Sequence, residues 1–205
     1  MKFKFNTGSV MIPHYLKRHK GGEDALAIKE GMICVADGVG GWNESGVDPS
    51  KFSRELCENI TKEYMKNYHK YHNNPKHLFT DAVKNTTSIG SSTFCMAVLD
   101  IEKNLIHTVN LGDSGYMIIR DHHEETNNAS LNKILKPTNS IQLLYKSEEQ
   151  THSFNFPFQV GTYGDNPDEA ISKTHEFEEN DIIIMATDGL WDNLFENQIV
   201  SIIKT

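Results

Sequence analysis

The fold is decided by Ile33–Trp42, with the sequence ICVADGVGGW, in which a short apolar run delivers one carboxylate into a glycine-rich turn. An apolar run of this length predicts a buried β-strand. The glycines that follow Asp37 remove the side chains that would keep a ligand away from the backbone. An Asp-Gly pair is also one of the commonest turn signals, so this stretch does not establish a functional site by itself.

The same arrangement occurs at two other places: an apolar run, a small residue and an aspartate, with glycine next or next but one. The three copies are Ala36-Asp37-Gly38, Gly112-Asp113-Ser114-Gly115 and Thr187-Asp188-Gly189. Glu23 and Asp24 stand at the entrance of another predicted strand, and Asp192 follows the third copy. Adjacent acids are more often solvated surface than a site. Carboxylates gathered at one edge of a sheet, however, repel and raise each other's pKa unless cations neutralise them.

Oxygen ligands without a quartet of cysteine and histidine indicate magnesium, manganese or calcium and argue against zinc. Two such cations sharing a carboxylate can activate a water and polarise a phosphoryl group. The chain has no Gly-x-Ser-x-Gly elbow and no cysteine followed by an arginine loop, which favours direct attack by water over a covalent intermediate. It also lacks a Walker-type Gly-Lys-Ser/Thr, which argues against a nucleoside triphosphatase.

Composition bounds the class of protein. A length of 205 residues with 38% hydrophobic residues fits one globular domain, residues 1–205. A formal net charge of -8 argues against a nucleic-acid surface or an anionic-membrane surface. No apolar run is long enough for a membrane span. Three cysteines, an odd number, predict buried reduced thiols in an intracellular protein rather than a disulfide framework.

Hydrophobic periodicity predicts a mixture of helices and strands. Asp48-Pro49 is typical of a helix start, and an apolar stripe at helical spacing follows it from Phe52 to Tyr68. A second helix is predicted at 75–87 and a third at 196–203. Strands are predicted at 2–12, 25–28, 93–99, 105–111, 116–120 and 141–145, and in the run that begins at Asp181.

The remaining candidates receive structural interpretations. His69, His72 and His77 straddle a polar helix end, which favours exposed side chains over metal ligands. Residues 121–140 are polar and predict a loop insertion at the surface.

Five segments resemble the metal-dependent serine/threonine protein phosphatases of type 2C, and they occur in that family's order along almost the whole chain. The five segments are specific when taken together, and two of their forms, Gly-Gly-Glu-Asp and Gly-Val-Gly-Gly-Trp, are most similar to the Ptc-seven-like branch of mitochondrial and plastid members. The segments are Gly22-Glu23-Asp24-Ala25, Val35–Trp42, Gly90-Ser91-Ser92-Thr93, Asn110–Gly115 and Ala186–Asn193.

The resemblance implies an α+β fold, a four-layer α-β-β-α sandwich of two central antiparallel sheets flanked by helices. It also implies a binuclear Mn/Mg centre between the sheets. Asp37 would bridge the two metals, with Glu23 and the Gly38 carbonyl on one and Asp188 on the other. Asp24 would orient the attacking water, and Asp113 and Asp192 match positions that hold a weaker third metal in some relatives.

Three departures from the family pattern matter. Many relatives have histidine, a proposed general acid, where this chain has Val39. Their phosphate-binding arginine is replaced by His19, with Arg18 and Lys20 adjacent, and the sequence leaves open which of the three binds phosphate. The family also ends with a strand that carries another aspartate ligand. No such segment occurs before Thr205, so we expect the C-terminal strands and helices of the sandwich to be missing.

The leading hypothesis is therefore a Mn/Mg-dependent hydrolase acting on phosphoserine and phosphothreonine in protein substrates. The alternative is a catalytically inactive phosphatase-like binding or regulatory protein, because a fourth ligand is absent and Val39 replaces histidine. A calcium-stabilised structural module ranks below both. We expect an intracellular location, cytoplasmic or mitochondrial, and the sequence does not determine the oligomeric state.

Overall fold

The computed structural model describes residues 4–122 and 140–203 of the chain. Its strands are β1 (Asp24–Lys29), β2 (Met32–Gly38), β3 (Ser91–Asp100), β4 (Leu105–Leu111), β5 (Gly115–His122), β6 (Ser140–Lys146), β7 (Thr151–Ser153), β8 (Phe156–Pro157), β9 (Val160–Gly161), β10 (Ile171–Glu176) and β11 (Ile182–Ala186). Its α-helices are α1 (Pro49–Lys66), α2 (Tyr68–Tyr71), α3 (Pro75–Asn85), α4 (Asp188–Trp191) and α5 (Glu196–Ile203). Shorter 3-10 helices occupy Tyr15–Lys20, Gly40–Ser45 and Pro167–Glu169.

Two antiparallel sheets form the centre of the described structure. The first sheet has the order β1-β2-β3-β4-β10, with β9 paired to β3. The second has the order β11-β5-β6. Strands β7 and β8 pair with each other in a separate ribbon.

The alternation of side chains along β3 and β5 builds the layers, because successive strand residues point to opposite faces. On β3, Phe94 and Met96 pack with the helix side chains of α1 and α3, whereas Cys95 lies in the cluster between the two sheets. On β5, Ile118 joins that same inter-sheet cluster, whereas Ile119 packs against α5. The order is therefore helix, sheet, sheet, helix, which confirms the predicted fold class.

Helix α1 forms where the sequence predicts it. The Asp48 side chain accepts a hydrogen bond from the backbone N–H of Ser50 at 3.1 Å, and Pro49 occupies the first turn. Of the predicted apolar stripe, the four residues from Phe52 to Tyr64 are buried on α1, whereas Tyr68 falls in α2 and is 36% exposed. The stripe is therefore core from Phe52 to Tyr64, as predicted, but not at Tyr68.

The N-terminal strand prediction is wrong. Residues 4–14 have no regular secondary structure, and the basic cluster that follows forms the 3-10 helix Tyr15–Lys20. The sequence pattern also missed β10, whose side chains are mostly exposed and which exists through its antiparallel pairing with β4. Of the predicted insertion at 121–140, the two ends belong to β5 and β6, and residues 123–139 lie outside the described residues.

Strand β11 is the clearest mismatch between sequence character and burial. Its sequence IIIMA is typical of a strand covered on both faces, yet all five residues are only partly buried. It pairs with β5 along one edge. A large part of its apolar surface instead lines the cavity between the two sheets.

The three cysteines are buried free thiols, as predicted. In the part of the chain that the structure describes, no helix is both long enough and apolar enough to cross a bilayer.

Candidate active site

The antiparallel register of the first sheet brings the first two acidic segments together. Asp24 on β1 lies opposite Asp37 on β2, and Asp37 lies opposite Thr93 on β3. Backbone contacts hold this edge: the Gly38 N–H donates to the Glu23 carbonyl at 3.2 Å, and the Ser53 hydroxyl of α1 donates to the same carbonyl at 2.6 Å. A β-carbon on Gly38 would lie 2.7 Å from a backbone oxygen of α1, so this position has no room for a side chain.

Two further acids come from the second half of the chain. Asp113 lies in the turn between β4 and β5, and Asp188 is the first residue of α4 after β11. Ala186 pairs with Gly115, so the end of β11 and the start of β5 meet at one edge of the second sheet. Both acids line the cavity between the sheets, as do Asp24 and Asp37. The three Asp-containing turns and the acidic pair are therefore assembled in one place.

The pKa values of these groups report their mutual repulsion. Burial, followed by the charges of Asp24 and Asp188, raises the pKa of Asp37 to about 9. Burial and the charge of Asp188 also raise the pKa of Asp24. Burial, then Asp188 and more weakly Asp192, raises the pKa of Asp113 to about 6. Without a cation, part of this cluster holds protons at neutral pH.

Glu23 is engaged differently from the other acids. Its Oε2 accepts an ion-paired hydrogen bond from the Lys17 ammonium, and its Oε1 accepts one from the Asn43 side-chain amide at 2.6 Å. The Asn43 amide also donates to the Gly40 carbonyl at 2.8 Å. Both oxygens therefore have a hydrogen-bond donor from the protein, and the Glu23 side chain is only 12% exposed.

Asp192 occupies the periphery of the cluster. It is exposed, follows α4, and acts on the cluster through its charge on Asp113. The six predicted carboxylates therefore fall into a partly buried group of four aspartates, an ion-paired Glu23 and an exposed Asp192.

The donor set fits hard divalent cations in kind, because it offers carboxylate oxygens, a backbone carbonyl at Gly38 and an excess of negative charge. Among the described residues, however, no group of three or more histidine, cysteine, aspartate and glutamate side chains is already disposed to hold a metal ion. The carboxylates are close enough to shift each other's pKa but are not in a coordinating arrangement. Metal binding would therefore require side-chain movement.

The predicted phosphate-binding residues lie on the 3-10 helix that precedes Glu23. Arg18, His19 and Lys20 are all exposed and do not line the cavity between the sheets. Lys17, from the same helix, does line it. Sequence reasoning passed over Lys17 because the family arginine aligns with His19, and no local pattern predicts a contact six residues along the chain.

Val39, the position where many relatives have histidine, begins the glycine-rich turn. Its N–H donates to the Ser91 carbonyl at 3.0 Å, which ties the turn to the start of β3. Val39 lines the cavity, and among the described residues the histidine that lines it is His14, just before the 3-10 helix.

Comparison with known proteins places this geometry in a family. The chain is 36% identical over 204 residues to the probable protein phosphatase 2C 55 of Arabidopsis thaliana, covering 98% of this chain and 39% of that protein. It is 34% identical to the protein phosphatase PTC7 homolog of Xenopus laevis, covering 89% of this chain and 61% of that protein. No profile of a known protein family matches the chain.

Solved structures agree. The X-ray structure of the photosystem II phosphatase PBCP superposes with a TM-score of 0.79 at 31% identity, covering 94% of this chain and 70% of that one. The catalytic domain of the serine/threonine phosphatase PstP, in complex with two manganese ions, shares the fold with a TM-score of 0.57 at 11% identity, covering 89% and 78% of the two chains.

The fold and the acidic strand ends define a phosphatase-like α-β-β-α domain, and the chain belongs to the protein phosphatase 2C family. Similarity to the PTC7 homolog agrees with the branch that the sequence predicted. The chain spans between 31% and 62% of the length of the curated relatives that it matches.

Proposed function

We propose that this domain hydrolyses phosphoserine and phosphothreonine in proteins, using a Mn/Mg centre built on Asp37. The observation that carries the proposal is the convergence of four partly buried aspartates from separate chain segments at the cavity between the sheets. The raised pKa values of Asp24, Asp37 and Asp113 mark a site with more negative charge than the protein itself neutralises. Membership of the protein phosphatase 2C family supports the same reaction.

The proposed ligands follow the family assignment. Asp37 would bridge two metals, Glu23 and the Gly38 carbonyl would hold one, and Asp188 would hold the other. Asp113 and Asp192 would hold a weaker third. The distant relative PstP, whose structure contains two manganese ions, supports this number of tight sites. When bound, the cations would lower the pKa of a water and polarise the phosphoryl group.

Side chains of the protein would orient the attacking water and bind the phosphate. The Asp24 carboxylate lies opposite Asp37 on the neighbouring strand and would accept a hydrogen bond from the attacking water. The buried edge around Gly38 keeps Asp24 and Asp37 at a constant spacing, because backbone hydrogen bonds and the lack of space for a side chain fix the turn. Arg18, His19 and Lys20 remain the sequence-predicted phosphate ligands on the basic 3-10 helix.

Substrates would be phosphorylated proteins. An intracellular site, cytoplasmic or mitochondrial, belongs to the same proposal and is supported by three buried thiols that have no disulfide partner.

The test compares the wild-type chain with Asp37→Ala for Mn²⁺-dependent release of phosphate from a phosphothreonine peptide. We expect chelator-sensitive turnover by the wild type and a loss of at least about 100-fold in Asp37→Ala. Asp168→Ala, which removes an exposed carboxylate outside the cluster, is the matched control and should retain wild-type turnover. Equal turnover by Asp37→Ala and the wild type would show that the proposed centre is not the catalytic one.

A further inference from the structure

The ion pair between Lys17 and Glu23 has a consequence for metal binding. We propose that Lys17 is the counter-ion of Glu23 in the metal-free site. Its ammonium pairs with the Glu23 carboxylate until a divalent cation displaces it, and the released ammonium then binds the substrate phosphate. This inference rests on the proposed function, because it takes Glu23 as a ligand of a divalent cation. It adds a residue, Lys17, and an order of events to that function.

The contacts around Glu23 support the first part of the proposal, the counter-ion role of Lys17. One carboxylate oxygen accepts from Lys17 and the other from Asn43, so each oxygen already has a donor, and the Lys17 ammonium adds a positive charge that competes with a cation. The ammonium and Glu23 Oε2 both lie against Gly40, where a β-carbon would be 3.2 Å from each. The pair therefore sits directly on the glycine-rich turn that follows Asp37. A cation that takes Oε2 of Glu23 as a ligand therefore competes with the Lys17 ammonium for the same oxygen.

The backbone holds Lys17 in this position. The Lys17 N–H donates to the His14 carbonyl at 2.7 Å, which starts the 3-10 helix. Gly21 and Gly22 follow with φ angles of 80° and 79°, a left-handed conformation that turns the chain sharply back into β1. The Arg54 guanidinium of α1 donates to the Gly22 carbonyl at 3.3 Å and fixes this turn against α1. Lys17 is thus carried over Glu23 by backbone geometry rather than by chance contact of a long side chain.

The second part of the proposal, phosphate binding by Lys17, is supported by the charged side chains that line the cavity. Among the described residues, Lys4 and Lys17 are the lysines that line it, and no arginine does. The Lys17 side chain is 41% exposed, so it has room to turn toward a ligand once Glu23 is released. Arg18 and Lys20 are exposed and outside the cavity lining. A lysine ammonium binds phosphate as a point charge and needs no planar partner geometry.

The experiment measures two affinities by isothermal titration calorimetry on the 205-residue chain. The first titration adds Mn²⁺ to chelator-treated protein, and the second adds inorganic phosphate to the Mn²⁺-saturated protein. The variants are Lys17→Met, which keeps much of the apolar stem, and Lys62→Met, which replaces an exposed lysine of α1 outside the cavity lining and gives the same change in net charge.

We expect Lys17→Met to bind Mn²⁺ at least about fivefold more tightly than the wild type, because the competing ion pair is gone. The same variant should bind phosphate at least about fivefold more weakly. Lys62→Met should change each affinity less than about twofold, since exposed charges are screened. A rise in Mn²⁺ affinity together with a fall in phosphate affinity does not arise from partial unfolding, because partial unfolding would weaken the binding of both ligands. Lys17→Arg should restore phosphate binding.

Any other result would overturn the counter-ion role of Lys17, its phosphate-binding role, or the proposed function. Equal Mn²⁺ affinities in Lys17→Met and Lys62→Met would overturn the counter-ion role, and unchanged phosphate affinity in Lys17→Met would overturn the phosphate role. If the wild type does not bind Mn²⁺ at all, the proposed function itself fails. Binding of Mn²⁺ without any effect of Lys17 rejects this inference alone.

Discussion

Replacing Asp37 with asparagine should stabilise the metal-free protein at neutral and alkaline pH, even though it removes the central group of the proposed site. Burial and the charges of Asp24 and Asp188 raise the pKa of Asp37 to about 9. In the unfolded chain an aspartate has a pKa near 3.9. Between these two values the folded form retains a proton that the unfolded form has released.

The sign and size of the effect follow from proton linkage. The contribution of Asp37 to stability is fully present below about pH 4 and is lost as the pH rises toward about 9, at up to about 1.4 kcal/mol per pH unit. Between pH 5 and pH 8 the upper limit is therefore about 4 kcal/mol. Neighbouring aspartates share the proton, so we expect roughly 2–4 kcal/mol. Asparagine has the same shape and does not titrate, so Asp37→Asn avoids this loss.

The assay is urea unfolding in the presence of a chelator at pH 5, 6.5 and 8, for wild type, Asp37→Asn and the exposed control Asp168→Asn. The wild type should lose stability across this range, whereas Asp37→Asn should show a much flatter profile and exceed the wild type at pH 8. Adding Mn²⁺ should reverse the order, because only the wild type gains stability from the bound ion. A wild-type profile parallel to that of Asp37→Asn would refute the argument that Asp37 is buried among like charges.

Two further substitutions test the scaffold around the site. Burial alone would raise the pKa of Glu55, but hydrogen bonds from Ser88 and its neighbour outweigh it and bring the pKa to about 2. After allowance for solvent, Glu55→Gln should cost about 1 kcal/mol in urea unfolding at pH 7, and the difference from the wild type should disappear as the pH falls from about 4.5 to 2. A difference that persists at pH 2 would contradict this. Gly112→Ala should cost at least about 2 kcal/mol, because φ there is 96° and the added carbon would lie 2.5 Å from the Phe158 carbonyl oxygen. Gly189→Ala, which meets no atom within 4 Å, is the control, and equal melting temperatures of the two variants would exclude a close approach at Gly112.

Much of the fold could be predicted from local patterns. The strand that delivers Asp37, the Asp48-Pro49 helix start and the hairpin of β3 and β4 each have a signal within a few residues. These patterns work because side-chain direction repeats with period 2 in strands and 3.6 in helices. Strand β10 has no such signal: its side chains are mostly exposed, and it is a strand because β4 offers it a backbone partner.

The candidate site likewise has features that the sequence predicts and features that depend on the tertiary structure. The sequence by itself identified the acidic residues, since each follows or precedes a strand, and the order of their motifs indicated the family. Only the tertiary structure decided how these acids interact: burial, followed by the charges of Asp24 and Asp188, which approach through space from β1 and α4, raises the pKa of Asp37 to about 9. It also decided that Lys17, rather than one of its basic neighbours, contacts Glu23. Charge interactions depend on distance and burial, and neither is encoded in the spacing of residues along the chain.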